Sequence, residues 1–310
     1  MTHLPYEETR QQGTLTFPCT MYRADFRSAV TADGADGRFY VKPHWHDSFE
    51  ILHFEKGSYE VGINMEHFRV EEEAFGFVGP GMIHTAQCSE GYLEQAVLFE
   101  PEILLFASRD AGSRELLDPF ISGQVSFPLM IRSGEPGFES VKESFSAVRR
   151  IFEKYVVWSG DQMHVTKAGA QLKIKAGLLL LIAGMAENGQ LAAKLPQTDH
   201  RAEAMKKVMT YVRDNYASRI YIADLARIMN MNEQYFCRLF RRTIGKTPVA
   251  YINEVRIREA AALMEQTGLS VAEAANTCGF GNVGHFISEF RRQTGCTPLE
   301  YRKKSAFARS

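Results

Sequence analysis

The sequence lacks several features that define whole classes of protein. Its five cysteines are scattered and form no Cys-x-x-Cys pair, which argues against a zinc ribbon or a disulfide framework and predicts reduced thiols. The longest apolar run, Ala176 to Ala186, has eleven residues, fewer than the about 20 that a membrane-spanning helix needs. Residues 1–10 are polar, so we expect no secretory signal. These absences predict a cytoplasmic protein with no membrane partner.

Net charge is also almost absent, at −1, but this sum combines two segments of opposite charge. Residues 201–310 carry 18 Lys and Arg against 10 Asp and Glu, a net charge of +8. The preceding 200 residues carry 18 against 27, a net charge of −9. Because a basic segment attracts polyanions through its summed field, we expect only the C-terminal part to bind nucleic acid.

The length of 310 residues is typical of two domains. In the first 100 residues, short apolar stretches alternate with turn residues and predict strands at Phe49–Phe54, Tyr59–Ile63 and Ala74–Val78. Many short strands at such spacing are typical of a β-sandwich or a β-barrel. Two amphipathic helices, Phe138–Val157 and Lys167–Glu187, follow as a predicted antiparallel pair. Their spare apolar surface either packs on the strands or forms a dimer interface.

From residue 201 onward the pattern is helical throughout. The predicted fold class is therefore multidomain α+β, with an N-terminal β-barrel, a helix pair and an all-α C-terminal domain. The predicted boundaries are residues 1–135 for the barrel, 136–188 for the helix pair with its candidate dimerisation role, 189–200 for a linker, and 201–310 for the helical domain.

The helical domain contains an internal repeat of about 50 residues. The segment Phe240–Pro248 reads FRRTIGKTP, and the segment Phe290–Pro298 reads FRRQTGCTP. Each copy predicts a short helix, a tight turn containing Asn230 or Gly279, and a second helix. This arrangement is a helix-turn-helix, whose second helix can enter the major groove of double-stranded DNA. The predicted helices are Ile222–Met229 and Glu233–Thr243 in the first copy, and Val271–Thr277 and Val283–Thr294 in the second.

The outward side chains of the second helices suit DNA. Gln234 and Arg238 lie opposite the apolar stripe of the first copy, and such side chains make bidentate contacts with base edges. A charged helical face is usually only solvated, but a solvated surface has no reason to repeat Phe-Arg-Arg in register. The residues expected to neutralise phosphates are Arg241, Arg242, Lys246, Arg291 and Arg292.

About 105 C-terminal residues resemble the DNA-binding domain of the AraC/XylS family of bacterial transcription regulators. The stretch Gly279–Pro298 is the most diagnostic, and Pro248–Gln266 matches the helix that joins the family's two helix-turn-helix units. The resemblance implies that the two units engage successive major grooves about 34 Å apart. It also implies base contacts by Gln234, Cys237, Arg238, Val283, Gly284, His285 and Ser288. Val283 and Gly284 form few hydrogen bonds, so we expect the second unit to rely on shape and methyl contacts.

The N-terminal part contains a candidate ligand set. The segment His44–Glu50 resembles the first cupin motif, and His84, after Pro80-Gly81, resembles the second. In an extended strand the side chains of His44, His46 and Glu50 share one face. With His84 they form an adequate ligand set for Fe, Mn, Ni, Cu or Zn. The second motif is one residue shorter than in metal cupins and no Asn follows, and the AraC family usually binds its effector without metal. The same residues are therefore also interpreted as a polar effector pocket.

The main hypothesis is a transcription regulator in which a small molecule, such as a sugar or an aromatic compound, binds the barrel and changes how the C-terminal domain sits on DNA. It predicts no catalytic residue and no cofactor, and it adds RNA polymerase and a second copy of the chain as partners. The alternative is a metal-dependent cupin enzyme of the dioxygenase or isomerase type that uses His44, His46, Glu50 and His84 as ligands. A third hypothesis is a constitutive DNA binder whose barrel only dimerises.

Overall fold

A computed structural model describes residues 13–14, 16–25, 39–88, 91–107, 110–159, 162–193, 200–267 and 269–307. The chain divides into two compact units, Met1–Thr198 and Asp199–Ser310. Part of the predicted linker, residues 194–199, lies outside the described residues.

The first unit is built mainly from strands. Two of the three predicted strands, Tyr59–Ile63 and Ala74–Val78, have the predicted bounds, and the third continues to Lys56. The strands are β1 (Cys19–Asp25), β2 (Phe39–His44), β3 (Phe49–Lys56), β4 (Tyr59–Ile63), β5 (Glu66–Val70), β6 (Ala74–Val78), β7 (His84–Cys88), β8 (Leu93–Phe99), β9 (Val125–Ser126), β10 (Met130–Arg132), β11 (Val157–Ser159), β12 (Gln162–His164) and β13 (Ala192–Ala193).

Across the described residues these strands form two main sheets rather than the predicted barrel. Seven strands follow the order β10-β6-β3-β8-β1-β12-β11, four follow the order β2-β7-β4-β5, and β13 pairs with β9. The prediction of a closed barrel was therefore wrong. Apolar alternation specifies which face of a strand is buried, but it does not specify which strand edges pair. Side chains packed between the two sheets hold them together, in place of the backbone hydrogen bonds between edge strands that would close a barrel.

The larger sheet is buried on both faces. Along β3, Leu52 and Phe54 belong to the core shared with the smaller sheet. Phe49 and Ile51 belong to a second core on the opposite face, because successive side chains of a strand point to opposite sides. This alternation places Glu50 on the inter-sheet side, where the predicted ligand set lies.

Two helices cover the outer face of the larger sheet. After a 3₁₀ turn (Pro101–Leu104), a π-helical turn (Ser113–Leu117) and the short helix α1 (Asp118–Ile121), the chain forms α2 (Phe138–Tyr155) and α3 (Ala168–Glu187). Both helices contribute to the core on that face. By length and composition alone α3 could cross a membrane, although 44% of its most apolar window is buried inside the protein. The outer face of α3 exposes Leu172 and Leu180, at 67% and 65%.

In its described residues the second unit consists of helices joined by turns and short loops. The predicted bounds of the joining helix and of both helices of the second copy match the structure, and those of the first copy differ by one residue at two ends. The helices are α4 (His200–Asn215), α5 (Ile222–Ile228), α6 (Glu233–Ile244), α7 (Pro248–Gln266), α8 (Val271–Thr277), α9 (Val283–Thr294) and α10 (Pro298–Phe307).

Candidate functional site

The two helix pairs, α5–α6 and α8–α9, are structural copies joined by tight turns. The second turn is one residue longer than the first, which accounts for the rise in repeat spacing from 49 residues between the first helices to 50 between the second helices. Asn230 and Gly279 adopt positive φ angles of 53° and 81°, as the sequence predicts. At Gly279 a Cβ atom would lie 2.7 Å from the carbonyl oxygens of Tyr216 and Ala217, so only glycine fits this turn.

Equivalent residues begin and end the second helix of each pair. The side chain of Asn232 accepts a hydrogen bond from the backbone N–H of Tyr235 at 2.9 Å, and that of Asn282 accepts one from His285 at 2.8 Å. Gly245 ends α6 and Gly295 ends α9, in left-handed conformations with φ of 77° and 76°. These caps satisfy terminal backbone groups and give α6 and α9 the same length of 12 residues.

Buried aromatic side chains fix the rotation of both helices. Phe236 and Phe240 in α6 are fully buried, with ring centroids 5.5 Å apart, and the pair Phe286 and Phe290 in α9 has the same separation. A tyrosine from the following helix packs edge-on against the second phenylalanine of each pair, at 5.3 Å and 5.4 Å. Because one face of each helix is held in this way, the opposite face is directed to solvent.

The predicted base-contacting residues lie on this solvent-facing side. In α6, Gln234 and Arg238 are exposed and Cys237 is half-buried. The α9 face has fewer long side chains that can donate hydrogen bonds. Gly284, His285 and Ser288 are exposed there, and Val283 is half-buried. Sequence reasoning did not single out Tyr235, which is 39% exposed beside Gln234. An aromatic residue in the first turn of a predicted recognition helix, off its apolar stripe, was the available signal.

The residues predicted to contact phosphate differ in their exposure and in whether a carboxylate of the protein already pairs with them. Arg241, Arg242 and Arg291 are exposed. Arg292 is held by Glu289 through two contacts of 2.6 Å and 3.2 Å, and Lys246 forms an ion pair with Glu254. The Arg292 side chain is 60% exposed, and ion pairs exposed to this degree contribute at most about 1 kcal/mol. DNA phosphate could therefore replace Glu289, whereas Lys246 sits in a more buried pair.

The structure also brings the predicted ligand set of the first unit together. His44 and His84 are registered partners on β2 and β7, and Glu50 reaches them from β3 of the other sheet. Glu50 Oε2 lies 3.0 Å from His84 Nε2 and 3.3 Å from His46 Nε2. One ring nitrogen of each of the three histidines lies within 4.8 Å of one in each of the others. His46, Glu50 and His84 are buried and His44 is half-buried.

Hydrogen bonds orient all three imidazoles in the same sense. The Nδ1 atoms of His44, His46 and His84 lie 2.8 Å, 2.9 Å and 3.1 Å from the backbone carbonyl oxygens of residues 42, 48 and 82. Because a carbonyl oxygen only accepts, we assign the proton of each neutral ring to Nδ1. The Nε2 atoms then carry the lone pairs.

The electrostatics of this cluster favour neutral His44 and ionised Glu50. Burial, together with the nearby His84, lowers the pKa of His44 to about 3. Burial alone would raise the pKa of Glu50, but the charge of His84 and the hydrogen bond with His46 outweigh it and hold that pKa below its usual range. At neutral pH the cluster therefore offers the neutral imidazole of His44 and the carboxylate of Glu50.

A second buried acid on the inter-sheet side, Glu94, was not predicted from the sequence. Glu94 lies on β8 and is 5% exposed, and burial followed by the charge of Glu50 raises its pKa well above the usual value. Its signal was a single carboxylate within the apolar strand Leu93–Phe99. By contrast, His53 behaves as an ordinary core residue: its Nε2 lies 2.9 Å from Glu73 Oε1, and its ring stacks on Phe75.

Comparison with known proteins assigns both units. A model of the AraC-like ligand binding domain matches residues 27–182, and a model of a helix-turn-helix domain matches residues 225–304. The HTH-type transcriptional regulator YdeC of Bacillus subtilis is 23% identical over 309 residues, which cover 97% of each chain. The HTH-type transcriptional activator RhaS of an Enterobacter species is 24% identical over 261 residues, 84% of this chain and 87% of that one. Among solved structures, the DNA-binding domain of AdpA in complex with a target DNA is 28% identical over 34% of this chain and 96% of that one, with a TM-score of 0.33.

Proposed function

Since this chain belongs to the AraC family of DNA-binding transcription regulators, with an AraC-like ligand-binding domain ahead of its helix-turn-helix domain, we propose that α5–α6 and α8–α9 act as two helix-turn-helix units on one DNA site. Relatives of the chain are transcriptional regulators, so it acts as a regulator and not as the metal-dependent enzyme considered from its sequence. The observation that carries the proposal is the duplicated arrangement of cap, buried phenylalanine pair and terminal glycine behind two solvent-facing helix surfaces.

The two units contribute unequally to sequence recognition. The α6 surface presents an amide and a guanidinium group, which form bidentate hydrogen bonds with adenine and guanine edges. The α9 surface presents Gly284, His285 and Ser288, which have short reach and fewer donors. We therefore expect α6 to supply most of the direct base contacts, and α9 to follow groove shape and thymine methyl groups.

Matched substitutions in α6 test these roles. Arg238→Ala should relax base preference in one half of the site, because it removes a bidentate donor from the middle of α6. Arg241→Ala, about one turn further toward the C-terminal end of α6, should weaken binding to every sequence alike and reduce the salt dependence of binding by about one counterion. Equal loss on cognate and mismatched sites in both variants would contradict this division of roles.

The effector of the first unit is expected to bind between the two sheets. The carboxyl groups of Glu50 and Glu94 are buried there. Tyr59 is close by, and its burial first, and then the charge of Glu94, raise its pKa. Burying carboxyl groups costs free energy, and such perturbed groups cluster at binding sites. A compound with hydroxyl groups, such as a sugar, could hydrogen-bond to them. A thermal-shift screen of sugars and aromatic compounds tests this, with Glu94→Gln expected to reduce the shift.

Dimerisation is proposed through the outer face of α3. Leu172, Ala176 and Leu180 follow one another at four-residue spacing and are all exposed, so two copies of the helix could pack along this stripe. Leu180→Lys should then convert a dimer to a monomer in sedimentation equilibrium, whereas Lys173→Ala, on the same helix but off the stripe, should not. A dimeric Leu180→Lys variant would place the interface elsewhere.

RNA polymerase is the partner expected at the promoter, and transcription in a purified system tests this.

A further inference from the structure

The histidine cluster of the ligand-binding unit has the geometry of a metal site. We propose that His44, His46 and His84, together with Glu50, bind one divalent transition-metal ion between the two sheets. The proposal concerns only this cluster and stands apart from the DNA-binding role of the second unit.

The first support is the common orientation of the rings. Each Nδ1–H donates to a backbone carbonyl oxygen within 3.1 Å, which is how proteins orient metal-binding histidines and increase the basicity of the other nitrogen. Three such bonds within one cluster engage the same nitrogen, Nδ1, of every ring. A histidine that only fills space has no need for this shared arrangement.

The second support is the short distance between a carboxylate oxygen and two imidazole nitrogens. Glu50 Oε2 lies 3.0 Å and 3.3 Å from two of these Nε2 atoms. A carboxylate oxygen and an imidazole lone pair repel at this distance unless a positive centre lies between them. That centre is either a proton on Nε2 or a metal ion.

The third support concerns His84. Its Nε2 atom is buried and lies 3.0 Å from Glu50 Oε2, but the contact does not have the alignment of a hydrogen bond. A shared proton requires donor, hydrogen and acceptor to be nearly in line. A metal ion requires only that each donor atom points at the ion, so the geometry at His84 favours the metal.

The donor set indicates the chemical class of the ion. Three imidazoles and one carboxylate suit Zn²⁺, Cu²⁺, Ni²⁺, Fe²⁺ and Mn²⁺, whereas Ca²⁺ and Mg²⁺ prefer oxygen ligands throughout. Metal bonds of about 2.0–2.2 Å require only a modest contraction of nitrogens that lie within 4.8 Å of one another. His44 is the ligand partly open to solvent, so an ion would enter from its side.

The experiment measures metal binding by the full-length chain directly. After treatment with a chelator, the protein is titrated with Zn²⁺ by calorimetry and with Co²⁺ by visible absorption. We expect one ion per chain, a rise in thermal midpoint with Zn²⁺, and Co²⁺ bands of a nitrogen- and oxygen-coordinated site. His84→Ala should abolish stoichiometric binding. Glu50→Gln, which keeps the side-chain volume, should weaken binding at least tenfold.

The controls separate metal loss from unfolding. His67→Ala removes a histidine from β5 of the same sheet, outside the cluster, and should bind metal like the parent chain. Circular dichroism establishes that each variant is folded. A folded parent chain without stoichiometric metal, or a His84→Ala variant that binds as well as the parent, would overturn the proposal. ¹⁵N spectra showing protonated Nε2 atoms in the absence of bound metal would instead identify the proton as the occupant, and so overturn it as well. DNA binding is measured separately, so a chain that binds DNA but no metal contradicts this proposal alone.

Discussion

Removal of the cap of α9 should weaken DNA binding without removing any group that contacts a base. Asn282 accepts a hydrogen bond from the backbone N–H of His285 at 2.8 Å and begins α9. The first turn of this helix carries Val283, Gly284 and His285, which are candidate base contacts. In Asn282→Ala these residues lose the cap that holds them in helical geometry.

The magnitude follows from the cost of losing a cap. Replacing an Asn cap by Ala costs typically about 1 kcal/mol of helix stability. If the frayed turn must be ordered again when DNA binds, the same free energy is lost from affinity, which corresponds to about a fivefold increase in Kd. Fluorescence anisotropy of the full-length chain with a labelled operator measures this change, and urea unfolding measures the cost in stability.

Asn282→Ser is the matched control, because serine also caps helices well. It should keep affinity within about twofold of the parent chain. Equal loss in the Ser and Ala variants would mean that the Asn282 side chain itself contacts DNA. Unchanged affinity in Asn282→Ala, despite a measured loss of stability, would refute the coupling between capping and binding.

Two further predictions concern the first unit. In Gly177→Ala the added Cβ would lie 2.6 Å from Val148 Cγ2, where α3 meets α2; it should lower stability by about 1–3 kcal/mol in urea unfolding, whereas Gly169→Ala, whose Cβ meets open space, should not. The pKa of Glu94 is raised in the folded state by burial and by Glu50, so the folded state binds more protons than the unfolded state and stability falls as pH rises above about 4.5. Glu94→Gln removes this pH dependence, so the free energy of unfolding of the variant should rise relative to that of the parent chain between pH 5 and pH 8. A difference that stays constant with pH would contradict the raised pKa.

Much of the second unit could be predicted because its signals are local. The repeat placed α8 and α9, and the family resemblance placed α7, at their observed bounds. The left-handed turn at Asn230 followed from its position between two helical patterns. The ion pair between Lys246 and Glu254 was less accessible, since it depends on how α7 packs beside α6.

The first unit was harder to predict because its decisive contacts are non-local. The motif correctly grouped Glu50 with the histidines, but the single extended strand expected over residues 44–50 is wrong: β2 ends at His44 in one sheet and β3 begins at Phe49 in the other. In α3 apolar residues occur on every side, so Leu172 and Leu180 could not be recognised as the outer face from periodicity. The informative residues were Gly177 and Gly184, whose added Cβ atoms would lie within 2.6 Å of α2 side chains, because small residues allow close approach of helices.

The most direct test of the central claim is selection of binding sites from random double-stranded DNA by the full-length chain, followed by sequencing. The account predicts two blocks of base preference centred about 10 base pairs apart, with the stronger preference in the block that α6 contacts. Arg238→Ala should flatten only that stronger block. Bound DNA with no enriched sequence, or a single block that Arg238→Ala leaves unchanged, would contradict the account.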